Sequence, residues 1–127
     1  MEIRPLEREQ MVRENGADGQ RLVPWTVLNA PFEGAWVRVP AHGGTGAHSH
    51  HEYEIFVAVS GEAVLESDGE QRAFKVGDIV HFPPRTEHRV INDNDTDFEM
   101  YSVWWDTDMS QAFMARHQEG GAGAGSR

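Results

Sequence analysis

An all-β sandwich or barrel of short strands is the fold class this sequence predicts. Three observations point there. Runs of β-branched and aromatic residues recur along the chain, each about four to eight residues long. Turn-forming residues separate them at regular spacing, and a helical period is almost absent. The chain has 127 residues, the size of one ordinary domain. Four Trp, six Phe and a hydrophobic content of 39% are enough for one core.

The elements follow in order. Residues 1–23 are polar with scattered Leu, Met and Val. They read as an irregular N-terminal arm with weak strand or helix pieces, and Gly16-Ala17-Asp18-Gly19 breaks any early helix. Residues 24–108 read as the barrel. Trp36-Val37-Arg38-Val39 alternates, and Tyr53 to Val59 is a second β-rich run. Glu62 to Glu66 leads into Ser67-Asp68-Gly69-Glu70, a hairpin signal because Asp-Gly tolerates the positive φ of a tight turn. Arg72 to Val76 returns from it, and Gly77-Asp78 makes the next corner. Ile79 to Phe82 is short and apolar and ends at Pro83-Pro84. His88 to Ile91 is the next strand, Asn92 to Asp97 a polar loop, and Phe98 to Trp105 the last long strand. Residues 109–117 suit one short helix. Residues 119–127 are rich in Gly and Ala and read as a flexible tail or linker.

Bulk properties narrow the partners. A formal net charge of −10 disfavours nucleic acid and anionic membrane surfaces, since both would repel the chain. With no Cys, any metal must be held by nitrogen and oxygen. The charged N-terminus has no apolar signal region, and no apolar run is long enough to span a bilayer. A cytoplasmic protein acting on a small molecule is the expectation.

The chemistry concentrates in His48-Ser49-His50-His51-Glu52-Tyr53-Glu54. Side chains two apart on an extended strand share a face, so His48 and His50 can point into a barrel mouth together. A turn at residues 51–53 could bring Glu54 back beside them. His88 follows a Pro-Pro-Arg-Thr turn and can add a fourth ligand if the sheet curls. Imidazole and carboxylate suit zinc, iron, copper, nickel or manganese. Ligands gathered on one side leave positions open, the mark of a catalytic site.

Here the pattern resembles the cupin superfamily. The first cupin motif is a glycine, two histidines one residue apart, a glutamate and a second glycine. His48, His50, Glu54 and Gly61 match it, while His42 stands where the leading glycine is expected. In the second motif Gly77, Pro83, His88 and Asn92 match, and Arg85 replaces the middle glycine. The resemblance covers roughly residues 30–106, with residues 62–76 between the motifs. It implies a small jelly-roll barrel, one divalent metal on His48, His50, Glu54 and His88, and a homodimer with packed or swapped strands from 24–40.

A narrower resemblance joins it. The text around His48–Ala58, Glu87–Asn92 and Phe98–Asp106 is similar to the cupin domain of hydrazine synthetases. In that family a zinc-binding cupin is often fused to a domain like methionyl-tRNA synthetase. The resemblance implies zinc, a synthetase-like partner protein or domain, and rearrangement of an amino-acid ester of N-hydroxylated lysine to form a nitrogen–nitrogen bond. Glu52, Tyr53 and Tyr101 are then the candidates for proton transfer or substrate contact. An iron-dependent cupin dioxygenase is the rival reading, and a non-catalytic metal or small-molecule binding module is a third.

The remaining candidates read more plainly. His51 faces solvent, His81 is a packed histidine, His42 is a loop residue and His117 belongs to the tail. Asp93, Asp95, Asp97, Asp106 and Asp108 lack the glycine and closing glutamate of an EF-hand loop, so they read as a solvated rim. Alternation puts Phe98, Met100, Ser102 and Trp104 on one face of the last strand and Tyr101, Val103 and Trp105 on the other; it leaves open which face is inside.

Overall fold

The computed structural model describes residues 1–119, and residues 120–127 of the expected Gly/Ala-rich tail lie outside them. Among the described residues ten strands form two antiparallel sheets. The strands are β1 (Val12–Glu14), β2 (Ala17–Arg21), β3 (Phe32–Val39), β4 (Gly43–Gly44), β5 (Tyr53–Ser60), β6 (Glu62–Ser67), β7 (Glu70–Lys75), β8 (Ile79–Phe82), β9 (His88–Asn92) and β10 (Phe98–Trp105). The larger sheet has the order β1-β2-β3-β10-β5-β8, and the smaller β4-β9-β6-β7. One helix, α1 (Thr107–Glu119), closes the described chain. Among the described residues no helix is long and apolar enough to cross a membrane.

Alternation sets the inside of the barrel. On β5, Glu54, Phe56 and Ala58 are buried; on β10, Phe98, Met100 and Ser102. The smaller sheet turns Ala63, Leu65, Phe74 and Val90 inward, and Val39 and Phe82 join them. Each fully buried Phe, Leu or Val contributes about 1.5–3 kcal/mol. Along β10 the inner face passes from Phe98 and Met100 to Ser102 and Trp104, and along β5 from Ala58 and Phe56 to Glu54. The barrel is therefore apolar at one end and polar at the other.

Local chemistry explains the corners. Asp68 and Gly69 take φ of 51° and 80° between β6 and β7, the left-handed pair of a tight hairpin. Asn92 is fully buried at the end of β9. Its side-chain amide donates to the carbonyls of Val39, Pro40 and Thr96, which ties the Asn92–Asp97 loop to the end of β3. Asp106 caps α1 by accepting from the main-chain amides of Asp108 and Met109.

Two regions differ from the sequence expectation. Part of the N-terminal arm is a regular hairpin. Its turn is Asn15-Gly16 (φ 50° and 85°), so Asp18 and Gly19, expected within a helix-breaking turn, lie in β2. Asn-Gly is the favoured two-residue hairpin pair, and it outweighs the Gly-Ala-Asp-Gly signal. The helix expected over 109–117 is longer at both ends, because Asp106 caps it and no breaker follows before Gly120. Strand β3, from the segment expected to bridge two copies, lies between β2 and β10, so its own chain fills both its edges.

Candidate metal centre

His48 and His88 face one another through the main chain, not only through their rings. The amide of each donates to the carbonyl of the other, at 3.2 and 3.0 Å, forming an isolated antiparallel bridge. The bridge fixes the His48 loop against the start of β9. Arg85, in the turn before β9, donates its amide to the His50 carbonyl at 2.6 Å. Glu54 sits near the start of β5, beside Ser102 on β10.

These placements gather His48, His50, Glu54 and His88, with one potential ligand atom of each within 4.8 Å of the others. Nε2 of His50 lies 2.9 Å from Glu54 Oε1, and Nε2 of His88 lies 3.0 Å from the same oxygen. Ser102 Oγ donates to Glu54 Oε2 at 2.7 Å. Glu54 is 5% exposed and His88 1%, whereas His48 is open to solvent at the mouth. Phe82 stacks on the His88 ring at 4.1 Å, and Phe56 meets it edge-on.

The Nδ1 side of each ring is engaged as well. His88 Nδ1 lies 2.8 Å from the Thr86 carbonyl, His50 Nδ1 3.2 Å from that of Glu52, and His48 Nδ1 3.2 Å from that of Gly46. A carbonyl accepts only, so it selects the ring form that donates from Nδ1 and leaves the Nε2 lone pair free. For His50 and His88 that lone pair then faces a carboxylate oxygen. Such a meeting is stable only with a cation among the donors, a proton or a metal ion. The donor set therefore fits a divalent metal held by three imidazoles and one carboxylate.

Burial pulls the Glu54 carboxyl up, but its contacts with His88, Ser102 and His50 outweigh it and hold the group below its ordinary value. Glu54 is thus an anion in the buried wall of the barrel. A cavity of about 490 Å³ opens over the cluster. Ala35, Phe56, Val90 and Met100 line its apolar part, and Glu14, Asp18, Arg21 and Glu52 bring charge to it.

The remaining sequence candidates separate by strand phase. Glu52 lines the cavity, with a carboxylate oxygen 3.7 Å from His50 Nδ1. Tyr53 and Tyr101 are out of phase with Glu54 and Ser102, and they lie on the outer face of the larger sheet. Tyr53 stacks between His81 and Trp105, and Tyr101 packs edge-on against Trp36 at 5.0 Å. The structure does not bring either tyrosine to the cluster. Burial, with Glu33 nearby, raises the Tyr101 phenol above its ordinary value. His81, expected as a packed histidine, is exposed and stacks on Tyr53. His42 pairs with Asp95 at 2.7 Å in the outer loops. Trp104, on the inner face, lines the cavity.

Two participants had no role assigned from the sequence. Ser102, which holds Glu54, was visible only as a member of one face of β10. Asn15, in the hairpin turn, lines the cavity and touches the His48 loop. Its signal was the Asn-Gly pair between two short alternating runs.

The model of the cupin domain matches residues 35–104. This chain belongs to the cupin family. Both motif positions where a cupin glycine is replaced, His42 and Arg85, keep the left-handed backbone, with φ of 58° and 62°. The turns therefore survive without the glycines. A crystal structure of a Cupin 2 conserved barrel domain protein from Salinispora arenicola is 50% identical, with a TM-score of 0.82, covering 92% of this cupin and 98% of that chain. A Photorhabdus luminescens protein is 39% identical, with a TM-score of 0.80, covering 91% and 97%. In sequence, the oxalate-binding protein of Thermotoga maritima is 30% identical over 70 residues. That match takes in 54% of this cupin and 58% of the Thermotoga protein, so it spans less than two thirds of that relative.

Proposed function

We propose that this cupin is a divalent-metal-dependent enzyme acting on a small molecule that enters the cavity. The observation that carries the reading is the orientation of the donors. Three imidazoles are set by main-chain carbonyls, and an ionised carboxylate is set by Ser102, beside one solvent-accessible cavity. Such precise support is what a ligand set needs and a solvated loop does not. A divalent ion bound there would supply Lewis acidity. The chain itself orients the substrate: apolar Phe56, Val90 and Met100 exclude water from one side, and the charged rim meets polar groups on the other.

Within that class the narrower proposal is a zinc-dependent rearrangement of an amino-acid ester of N-hydroxylated lysine. The amine nitrogen bonds to the hydroxylamine nitrogen as its N–O bond breaks; the bonding pair leaves with the carboxylate, and the attacking nitrogen gives up one proton to solvent. The local resemblance around His48–Ala58, Glu87–Asn92 and Phe98–Asp106 supports it, and so does the Glu52 carboxylate on the cavity, which suits an amine of such a substrate. A methionyl-tRNA synthetase-like partner would supply the ester. Orientation and charge stabilisation would supply most of the acceleration.

The test is turnover of the synthetic ester by zinc-loaded protein under anaerobic conditions, with the hydrazine product followed by mass spectrometry. Product from wild type and none from a folded His50→Ala variant is the expected result. Iron dependence with stoichiometric oxygen uptake would replace the rearrangement with a dioxygenase. One specific observation favours a second reading, a binding module for a small dicarboxylate: the Thermotoga relative is an oxalate-binding protein. Calorimetric binding of oxalate to metal-loaded protein that turns over no substrate would select it.

A further inference from the structure

We infer that Asn15, outside the matched cupin domain, is a positioning residue for the metal ligand His48, and that the N-terminal hairpin is a working part of the site. The inference rests on the metal reading above. His88 is buried on β9 and His50 is half-buried in the loop before β5, but His48 is the ligand open to solvent. What steadies it from the open side is the turn between β1 and β2.

The contacts are reciprocal. The Asn15 side-chain amide donates to the Gly46 carbonyl at 3.1 Å, and the Gly46 amide donates to the Asn15 carbonyl at 3.4 Å. The same side-chain nitrogen packs 3.3 Å from His48 Nδ1; both atoms are donors when Nδ1 carries the proton, so in the metal-binding ring form the Gly46 carbonyl is the hydrogen-bond partner and not Asn15. The Gly46 carbonyl is also the acceptor 3.2 Å from that Nδ1, the partner the metal-binding ring form of His48 requires. Asn15 thus holds the oxygen that selects His48's tautomer. This is the part an outer partner plays in a metal site.

The fit of the turn is close. A Cβ on Gly16 would stand 2.2 Å from the Gly44 carbonyl oxygen, and one on Gly46 would stand 2.6 Å from Asn15 Oδ1. Only glycines allow the two loops to approach this far. Asn15 itself has φ of 50°, so glycine can replace it without backbone strain and remove only the side chain.

The experiment compares wild type, Asn15→Gly and Gly16→Ala as full chains. Two quantities are read: the Kd for Co(II) or Zn(II), and the ¹⁵N shifts of the imidazole nitrogens. In Asn15→Gly the metal Kd should rise about tenfold. In the metal-free protein the His48 nitrogens should move toward tautomer averaging while those of His88 stay in place. Gly16→Ala, which pushes the hairpin off Gly44, should weaken the metal at least as much. If wild type binds metal and Asn15→Gly matches it in Kd and in the His48 shifts, the positioning role is overturned and the metal site stands. Wild type that retains no metal would overturn the metal reading and this inference together.

Discussion

Ser102 shows how much rests on one hydroxyl. It is 3% exposed and donates to the Glu54 oxygen that does not face the histidines. Removing it leaves a buried carboxylate oxygen without that donor, which costs about 1–3 kcal/mol. Ser102→Ala should lower metal-free stability by that amount in chemical denaturation and weaken metal binding. An unchanged denaturation midpoint would show that Glu54 is held by the histidines alone. At this scale the four ligands were legible, because their spacing is that of the two cupin motifs. Ser102 was not, because alternation divides a strand into two faces without saying which is inside. Tyr101 falls on the outer face of β10, which the same ambiguity hid, and Tyr53 falls on the outer face of β5, one residue out of phase with Glu54. His42 and Arg85 teach the converse. A motif glycine can be lost from the text while its left-handed backbone remains.

Strand β2 is the element whose role the sequence understated. Asp18 on β2 accepts from Arg13 on β1 and from Arg38 on β3, so one carboxylate pins three strands together. The Arg13 hydrogen bond lowers the Asp18 carboxyl below its ordinary value of 3.8; burial opposes this and Arg38 adds to the lowering. The sign follows. A carboxyl depressed in the folded state stabilises above its unfolded value, and the benefit disappears as the pH falls through the folded one. The melting temperatures of wild type and Asp18→Asn should therefore differ near neutrality and converge below a pH of about 3.8. A gap of constant width down to strong acid would show that Asp18 acts only through packing. Most strands were readable from turn chemistry: Ile79–Phe82 and Phe98–Trp105 match their observed bounds. The hairpin was obscured because β1 and β2 carry few β-branched residues, and their pairing comes from Asn-Gly and charge.

For the whole molecule, an ion held by these four residues would be a ligand of the folded state. The donors come from the His48 loop, β5 and β9, which have no reason to converge in an unfolded chain. At a hundredfold excess over Kd, such an ion adds about 2.7 kcal/mol of stability. For a domain of this size that is a rise of roughly 10 °C in melting temperature. EDTA should abolish the rise and added Zn(II) restore it. Melting temperatures indifferent to both would contradict a metal site on these four residues. The barrel class was legible as a whole because turns and β-rich runs agree along the chain. The packing of one end as apolar core and the other as polar mouth was not, because it depends on which strands become neighbours.

The main-chain bridge between His48 and His88 bears on metal supply. Two distant stretches of chain are clasped by peptide groups, so an ion bound there would not be the only staple that joins them. Loading would then be exchange into a standing frame. Divalent ions that suit imidazole and carboxylate would compete for it according to their abundance where the protein matures. Mismetallation in a foreign expression host would consequently yield a well-folded but chemically misleading sample.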